Sequence, residues 1–128
     1  MLLHTIRSLA VLVIMSGPVA VAQVNLTAET ASPGGATHLS SLHLTDIAGT
    51  LGIANIQLAD GQTLTNSIQN VAEGKTDIAA TPYILPFLMS RGVGPYGSMG
   101  ADRGAELAGN LRAINPFTLG SFFLAASA

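Results

Sequence analysis

The stretch VNLTAETASPGGATHLSSLHLTDIAGTLG, residues 24–52, decides the fold of this chain. Its first six residues alternate apolar and polar side chains, which is typical of a β-strand. The segment TASPGGATH, residues 30–38, then places a proline, two glycines and three hydroxyl residues in a loop. Beyond the loop, apolar residues recur mostly at helical spacing: Leu39, Leu42, Ile47, Ala48 and Leu51. Gly52 follows them, at a position typical of the residue that ends a helix. The stretch therefore predicts a strand, a loop suited to an anion, and a helix.

The next segments repeat this order. Residues 53–60, IANIQLAD, predict a second strand, and Thr63 or Thr65 can cap the helix that follows. That helix carries apolar residues at positions i, i+4, i+7 and i+8, which are Leu64, Ile68, Val71 and Ala72. Gly74 lies just beyond its end. Residues 76–81, TDIAAT, predict a short buried strand that Pro82 stops. The resulting β-α-β-α-β order predicts an α/β fold with a parallel sheet and right-handed crossovers.

The last part of the chain predicts shorter elements. Pro86 restricts the apolar piece YILPFLMSRG, residues 83–92, to one or two helical turns, with core positions at Tyr83, Phe87 and Met89. The glycines of residues 92–100 predict a tightly turned loop. Residues 101–114 predict a helix with one apolar face, formed by Ala101, Ala105, Ala108 and Leu111. Residues 118–128, TLGSFFLAASA, predict a final strand.

The N-terminus has the features of a secretory signal. Arg7 precedes an apolar run over residues 9–15, and the small residues Ala20 and Ala22 follow a Gly-Pro break. The run is shorter than the ~20 residues that a transmembrane helix needs. We therefore expect a signal peptide at residues 1–22, cleaved after Ala22, and a periplasmic protein made of residues 23–128 that does not span a membrane.

The composition excludes several classes of function. With 48% hydrophobic and 9% charged residues, the chain is expected to fold rather than to stay disordered. A net charge of -2 without a cluster of Lys or Arg argues against nucleic acid as a partner. The absence of cysteine excludes a disulfide framework and a thiolate metal site.

The sequence offers no arrangement typical of catalysis. His38 and His43 are about 140° apart around the first predicted helix, so they do not converge on a metal ion. Neither a Gly-x-Ser-x-Gly nor a Ser-x-x-Lys motif is present, and the acidic residues are scattered. The sequence therefore predicts no catalytic residue, no metal site and no cofactor.

Two polar loops are the candidates for binding. The loop 30–38 has neither nucleotide fingerprint, but its glycines admit close backbone approach and its hydroxyls stand at a helix N-terminus. The turn GQTLTNS, residues 61–67, repeats this chemistry, and Thr81 ends the third strand. Since the carboxyl ends of parallel strands share one edge, these groups form a site of neutral donors that suits binding without reaction. A plain turn with glycines chosen for their backbone angles remains the alternative.

The chain also resembles a known family. The segments TLTNSIQNVAEGKTDIAATP (63–82) and PFLMSRGVGPY (86–96), and above all the run from Glu73 to Ala79, resemble the N-terminal lobe of TAXI-type solute-binding proteins. Those proteins are the extracytoplasmic receptors of tripartite ATP-independent periplasmic (TRAP) transporters. The resemblance implies a periplasmic-binding-protein-like lobe with a mostly parallel sheet and flanking helices, truncated before its second lobe.

The resemblance implies a function and a set of site residues. Such a receptor binds a small organic anion, either glutamate-like or a dicarboxylate, and delivers it to the TRAP permease subunits. Its first loop corresponds to Ser32, Gly34, Gly35, Ala36 and Thr37, and its second to Thr63, Thr65 and Asn66. To these the residues themselves add Thr81 and, as a cation with a bidentate fork, Arg91.

Two other functions stay open. One is a secreted α/β enzyme that binds a phosphorylated ligand on the glycine-rich loop, with His38 as the titratable residue nearby. The other is a small interaction module that uses residues 83–92 as its contact. Whichever function holds, we expect Gly74 to end the second helix in the left-handed conformation. We expect Asp77 to fix the turn that leads into the third strand.

Overall fold

The computed structural model describes residues 23–114 and residue 116. The elements are β1 (Val24–Glu29), α1 (Ala36–Thr50), β2 (Ala54–Ala59), α2 (Leu64–Ala72), β3 (Ile78–Ala79), α3 (Ile84–Arg91), a 3₁₀ segment (Gly94–Met99) and α4 (Gly100–Gly109). The expected signal peptide and the predicted strand 118–128 lie outside the described residues. Within the described ranges, no helix has both the length and the apolar character that crossing a membrane requires.

The strands form one parallel sheet in the order β2-β1-β3. This confirms the predicted α/β class and the parallel β-α-β-α-β order. β3 is shorter than the predicted strand 76–81. On either side of its two residues, the Asp77 amide donates to the Thr27 carbonyl at 3.2 Å and the Ala80 amide to the Glu29 carbonyl at 3.4 Å. The Asp77 carboxylate accepts hydrogen bonds from the Thr27 amide at 2.8 Å and the Thr27 hydroxyl at 2.9 Å. These two bonds, the backbone one first, hold the pKa of Asp77 below its usual value and fix the entry into β3, as expected for this residue.

The two faces of the sheet differ in polarity. α1 packs on the face that carries Ala28 of β1 and Ile56 of β2. On this face Ala28, Ile56 and Ala54 of the sheet form a small core with Ala48 of α1. The opposite face carries polar residues, among which Asn55 donates to Asn25 at 3.0 Å. The alternating sequences of β1 and β2 place these residues on opposite faces, since successive side chains of a strand point in opposite directions.

A second core joins α2 to the helical elements that follow β3. It contains Ile68, Ala72, Met89, Tyr96 and Leu107, from α2, α3, the 3₁₀ segment and α4. α3 and α4 approach most closely at Gly104, where a Cβ would overlap the carbonyl oxygen of Met89 and lie 3.2 Å from the Gly92 nitrogen. Only glycine fits this crossing of the two helix backbones.

Two predicted core positions, Tyr83 and Phe87, are wrong. Helical spacing also does not correspond to burial in the first helix: Leu39, Leu42 and Ile47 of α1, and Leu51 directly after it, are exposed, whereas Ala48 is buried. Tyr83 and Phe87 are 89% and 51% exposed, whereas Met89 is buried as predicted. Residues 92–100 contain a 3₁₀ segment that buries Tyr96, not only a loop.

α4 differs from its prediction in both length and orientation. It ends at Gly109 instead of Ile114. Beyond this point the Arg112 side chain donates to the Gly109 and Leu111 carbonyls at 2.7 Å each, so the carbonyl of the last helical residue has a side-chain partner. Its buried face contains Gly104 and Leu107, and the predicted Ala101 and Ala105 are exposed. The close glycine contact with α3 decides which face turns inward.

Candidate functional site

The two loops of the predicted site are joined by backbone hydrogen bonds. The Thr30 amide donates to the Ala59 carbonyl at 3.0 Å, and the Thr30 carbonyl accepts from the Gln62 amide at 3.1 Å. The Gly61 amide donates to the Ala31 carbonyl at 3.2 Å. These bonds continue the β1–β2 ladder past the ends of both strands. The β1–α1 and β2–α2 loops therefore lie side by side at the carboxyl edge of the sheet.

The first loop contains a tight turn. The Gly35 amide donates to the Ser32 carbonyl at 3.3 Å, and Gly34 has a φ of 81°. Proline at the second position and a left-handed glycine at the third are typical of a type II turn. The turn explains Pro33 and Gly34 by backbone geometry alone. What it leaves free for a ligand is the start of α1.

The start of α1 has no side-chain cap. Its N-cap residue is Gly35, and its first turn contains no acidic residue. Among the described residues, none accepts a hydrogen bond from the amides of Ala36, Thr37 or His38. Free amides at the positive end of a 15-residue helix attract an anion.

The start of α2, by contrast, has a side-chain cap from its own residues. The Thr63 hydroxyl accepts from the Asn66 amide at 3.4 Å and from the Thr65 hydroxyl at 3.3 Å. The Tyr96 hydroxyl donates to the Thr65 carbonyl at 3.1 Å, and burial raises the pKa of this phenol. Thr63 is thus the cap that the sequence predicts, and three of the predicted site residues hold α2 in place.

Three buried polar atoms at this edge have no hydrogen-bond partner in the described part of the chain. They are the hydroxyl oxygens of Thr30 and Ser67 and the Nδ1 atom of His38. Thr30 and Ser67 are fully buried, at 0% exposure. A buried polar atom without a partner costs about 1–3 kcal/mol, so each of these three atoms is an unsatisfied group in the described part of the chain.

Thr30 and Ser67 lie in the two polar segments that the sequence singles out, and His38 is the titratable residue named beside the first loop, but none of the three is among the predicted ligand-binding residues. Thr30 directly follows β1, His38 lies in the first turn of α1, and Ser67 lies in the first turn of α2. The available signal was position, since each is a polar residue within one turn of the carboxyl edge. Burial could not be read from the sequence.

Thr81 and Arg91 lie apart from the two loops. The Thr81 hydroxyl donates to the Pro82 carbonyl at 3.4 Å, and Thr81 lines a groove beside β3 that neither loop borders. Arg91 is exposed at the end of α3, with its guanidinium 5.5 Å from the centre of the Phe87 ring. The structure therefore brings together the predicted residues of the two loops but supplies no cation from Arg91 to them.

The charges near the site are few. The Glu29 carboxylate, at the end of β1, accepts two hydrogen bonds from the Asn70 amide group, at 3.0 and 3.1 Å. Asp60 is exposed at the end of β2. In the described residues, no three His, Asp or Glu side chains are grouped so as to hold a metal ion. The chemistry at the start of α1 is that of uncharged hydrogen-bond donors.

Comparisons of the chain with protein-family models, with curated proteins and with solved structures gave no match. The start of α1 and the residues around it are thus the basis for a functional proposal.

Proposed function

We propose that this chain is a ligand-binding α/β lobe of an extracytoplasmic solute receptor. Its ligand is a small organic anion, either glutamate-like or a dicarboxylate, held at the start of α1. The observation that carries the proposal is the uncapped start of α1, at the same carboxyl edge of the sheet as the unpartnered hydroxyls of Thr30 and Ser67. An anion placed there meets unused donors and the positive end of a helix dipole.

The proposed binding chemistry uses the chain's own donors. One carboxylate of the ligand accepts hydrogen bonds from the amides of Ala36, Thr37 and His38. Hydrogen bonds to a charged acceptor are worth about 1.5–3 kcal/mol each, more than those between neutral groups. The type II turn holds the start of the helix in place before the ligand arrives, which lowers the entropic cost of binding.

The site favours a receptor over an enzyme because its groups are suited to binding. The donors are backbone amides and hydroxyls, and His38 is the titratable side chain in the first turn of α1. Uncharged donors bind an anion and leave it unchanged. We further propose that the receptor is periplasmic and serves the permease of a TRAP transporter, as the signal-like N-terminus and the family resemblance suggest.

The test is a ligand screen with matched pairs of compounds. Purified protein is titrated calorimetrically with L-glutamate, succinate, 2-oxoglutarate and phosphate, and with succinamide as the uncharged counterpart of succinate. The proposal predicts that at least one carboxylate binds and that its amide counterpart does not. Equal binding of succinate and succinamide, or no binding by any anion, would overturn it.

A further inference from the structure

The outer edge of β2 is unpaired among the described residues, because the strand order of the sheet is β2-β1-β3. β2 has the sequence ANIQLA, six residues without a charged side chain or a proline. Exposed edge strands usually carry such residues, because the free backbone groups of an edge pair readily with another strand. β2 has neither form of protection and is therefore suited to pairing with a further strand.

The backbone of β2 presents every second residue to this edge. The Thr30 amide donates to the Ala59 carbonyl at 3.0 Å, so the backbone groups of Ala59 point toward β1. β1 follows the same alternation, since its Thr27 and Glu29 carbonyls accept hydrogen bonds on the β3 side. Successive residues of a strand direct their backbone groups to opposite sides. The backbone groups that point to the outer edge are therefore those of Ala54, Ile56 and Leu58.

The side chains of β2 are separated by polarity. Ala54 and Ile56 are buried in the core beneath α1, and Leu58 packs against that core. Asn55 and Gln57 are exposed on the other face of the sheet. A partner strand at this edge must therefore be apolar on one face and polar on the other.

A second copy of β2 meets this requirement when it lies antiparallel, with a two-fold axis at Ile56. In an antiparallel pair, directly opposed side chains lie on the same face. The axis pairs Ile56 with its own copy and Ala54 with Leu58 of the second copy, so that all three outward-pointing residues are hydrogen-bonded. On the polar face, Asn55 lies opposite Gln57 of the second copy, an amide against an amide. A two-fold interface uses one surface twice and requires this self-complementarity.

The α1 helix adds an apolar side chain beside this edge. Leu44 and Ile47 line a groove together with both residues of β3, so this side of α1 faces β3. Leu42 lies ~160° around the helix from Leu44, on the β2 side. It is 44% exposed. A two-fold axis at Ile56 places the two copies of α1 antiparallel on one face of the joined sheet, each with Leu42 on the side turned toward the other.

From these observations we propose that two copies of this chain pair through β2. The three described strands of each copy then form one continuous six-stranded sheet, antiparallel at the β2–β2 contact and parallel elsewhere. The carboxyl ends of the two β2 strands lie at opposite ends of this contact, which keeps the two α1 starts apart. The dimer is therefore independent of the proposed anion site.

Two matched double variants test the register of the contact. In Asn55→Lys/Gln57→Lys, lysines oppose each other across the axis, whereas in Asn55→Lys/Gln57→Glu each lysine opposes a glutamate. Both variants change the same exposed positions and both lose the hydrogen bond from Asn55 to Asn25. Like charges directly opposite weaken a strand pair, opposite charges strengthen it, and each dimer contains two such pairs.

Sedimentation equilibrium over about a hundredfold range of concentration measures the dimer Kd. Relative to the unaltered chain, the Kd is expected to rise about 2-fold to 30-fold in the first variant and to fall by a similar factor in the second. An equal Kd in the two variants, or an unaltered chain that stays monomeric throughout this range, would overturn the proposal.

Hydrogen exchange in the unaltered chain, followed by NMR, identifies what covers the edge. The Ile56 amide is expected to exchange slowly only at concentrations at which the dimer forms, whereas the Gln57 amide, which points toward β1, is expected to be protected at all of them. A protected Ile56 amide in the monomer would show that another part of the chain covers the edge. A dimer with an unprotected Ile56 amide would place the contact elsewhere. Either result overturns the proposal, and neither involves the anion.

Discussion

Replacing Thr30 by valine tests whether its buried hydroxyl is reserved for a ligand. Valine keeps the branched shape and the backbone bonds of Thr30 to Ala59 and Gln62, so only the hydroxyl is lost. The unpartnered hydroxyl costs the empty protein about 1–3 kcal/mol. Taking the low end of this range, Thr30→Val is expected to raise the melting temperature by about 4–8 °C.

The same substitution is expected to weaken binding. If the Thr30 hydroxyl donates to a carboxylate, its loss removes about 1.5–3 kcal/mol, which raises the Kd about 10-fold to 150-fold. Differential scanning fluorimetry without ligand and calorimetric titration with succinate measure the two effects. Thr50→Val, at the exposed end of α1, is the control and changes neither value. A lower melting temperature with unchanged affinity would refute the reasoning, because the hydroxyl would then have a purely structural role.

Four other substitutions test the packing and the charges. Gly104→Ala is expected to lower the free energy of unfolding in urea by about 1–3 kcal/mol, because the new Cβ overlaps the backbone of α3. The control Gly109→Ala adds a Cβ in open space on the same helix and is expected to raise this free energy by up to about 1 kcal/mol. Tyr96→Phe leaves a carbonyl of α2 without its donor and costs about 1–2 kcal/mol in thermal unfolding. The pKa of Asp77 is lowered on folding, so its contribution to stability is complete above pH ~4 and is lost as the pH falls through the folded-state pKa. Asp77→Asn should therefore reduce the loss of melting temperature on acidification, and an unchanged acid profile would contradict this assignment.

The elements of the fold with strong local signals were predictable from the sequence. β1 follows from its alternating side chains, and α2 from the Thr63 cap and the glycine at position 74, which has a φ of 71°. Burial was less predictable, because it depends on distant partners. The leucines of α1 have helical spacing, but spacing does not tell which neighbour covers them. The buried face of α4 depends on the close contact of Gly104 with α3, which residue spacing does not show.

The candidate site was predictable in outline. Parallel strands place their carboxyl ends together, and the structure joins the β1–α1 and β2–α2 loops at that edge. The Thr63 cap of α2 was predictable, but the sequence did not show that the start of α1 has no side-chain cap, since its loop also contains hydroxyl residues. It also could not reveal that Thr30 and Ser67 are buried without partners, because that depends on the extended pairing of the two loops.

The most direct measurement of the central claim is an amide NMR titration of ¹⁵N-labelled protein with succinate. The account predicts saturable chemical-shift changes that are largest at the amides of Ala36, Thr37 and His38 and small at the capped amide of Asn66. Succinamide should leave all of these signals in place. Shifts confined to other parts of the chain, or no saturable shift with any carboxylate, would contradict the claim that the start of α1 binds an anion.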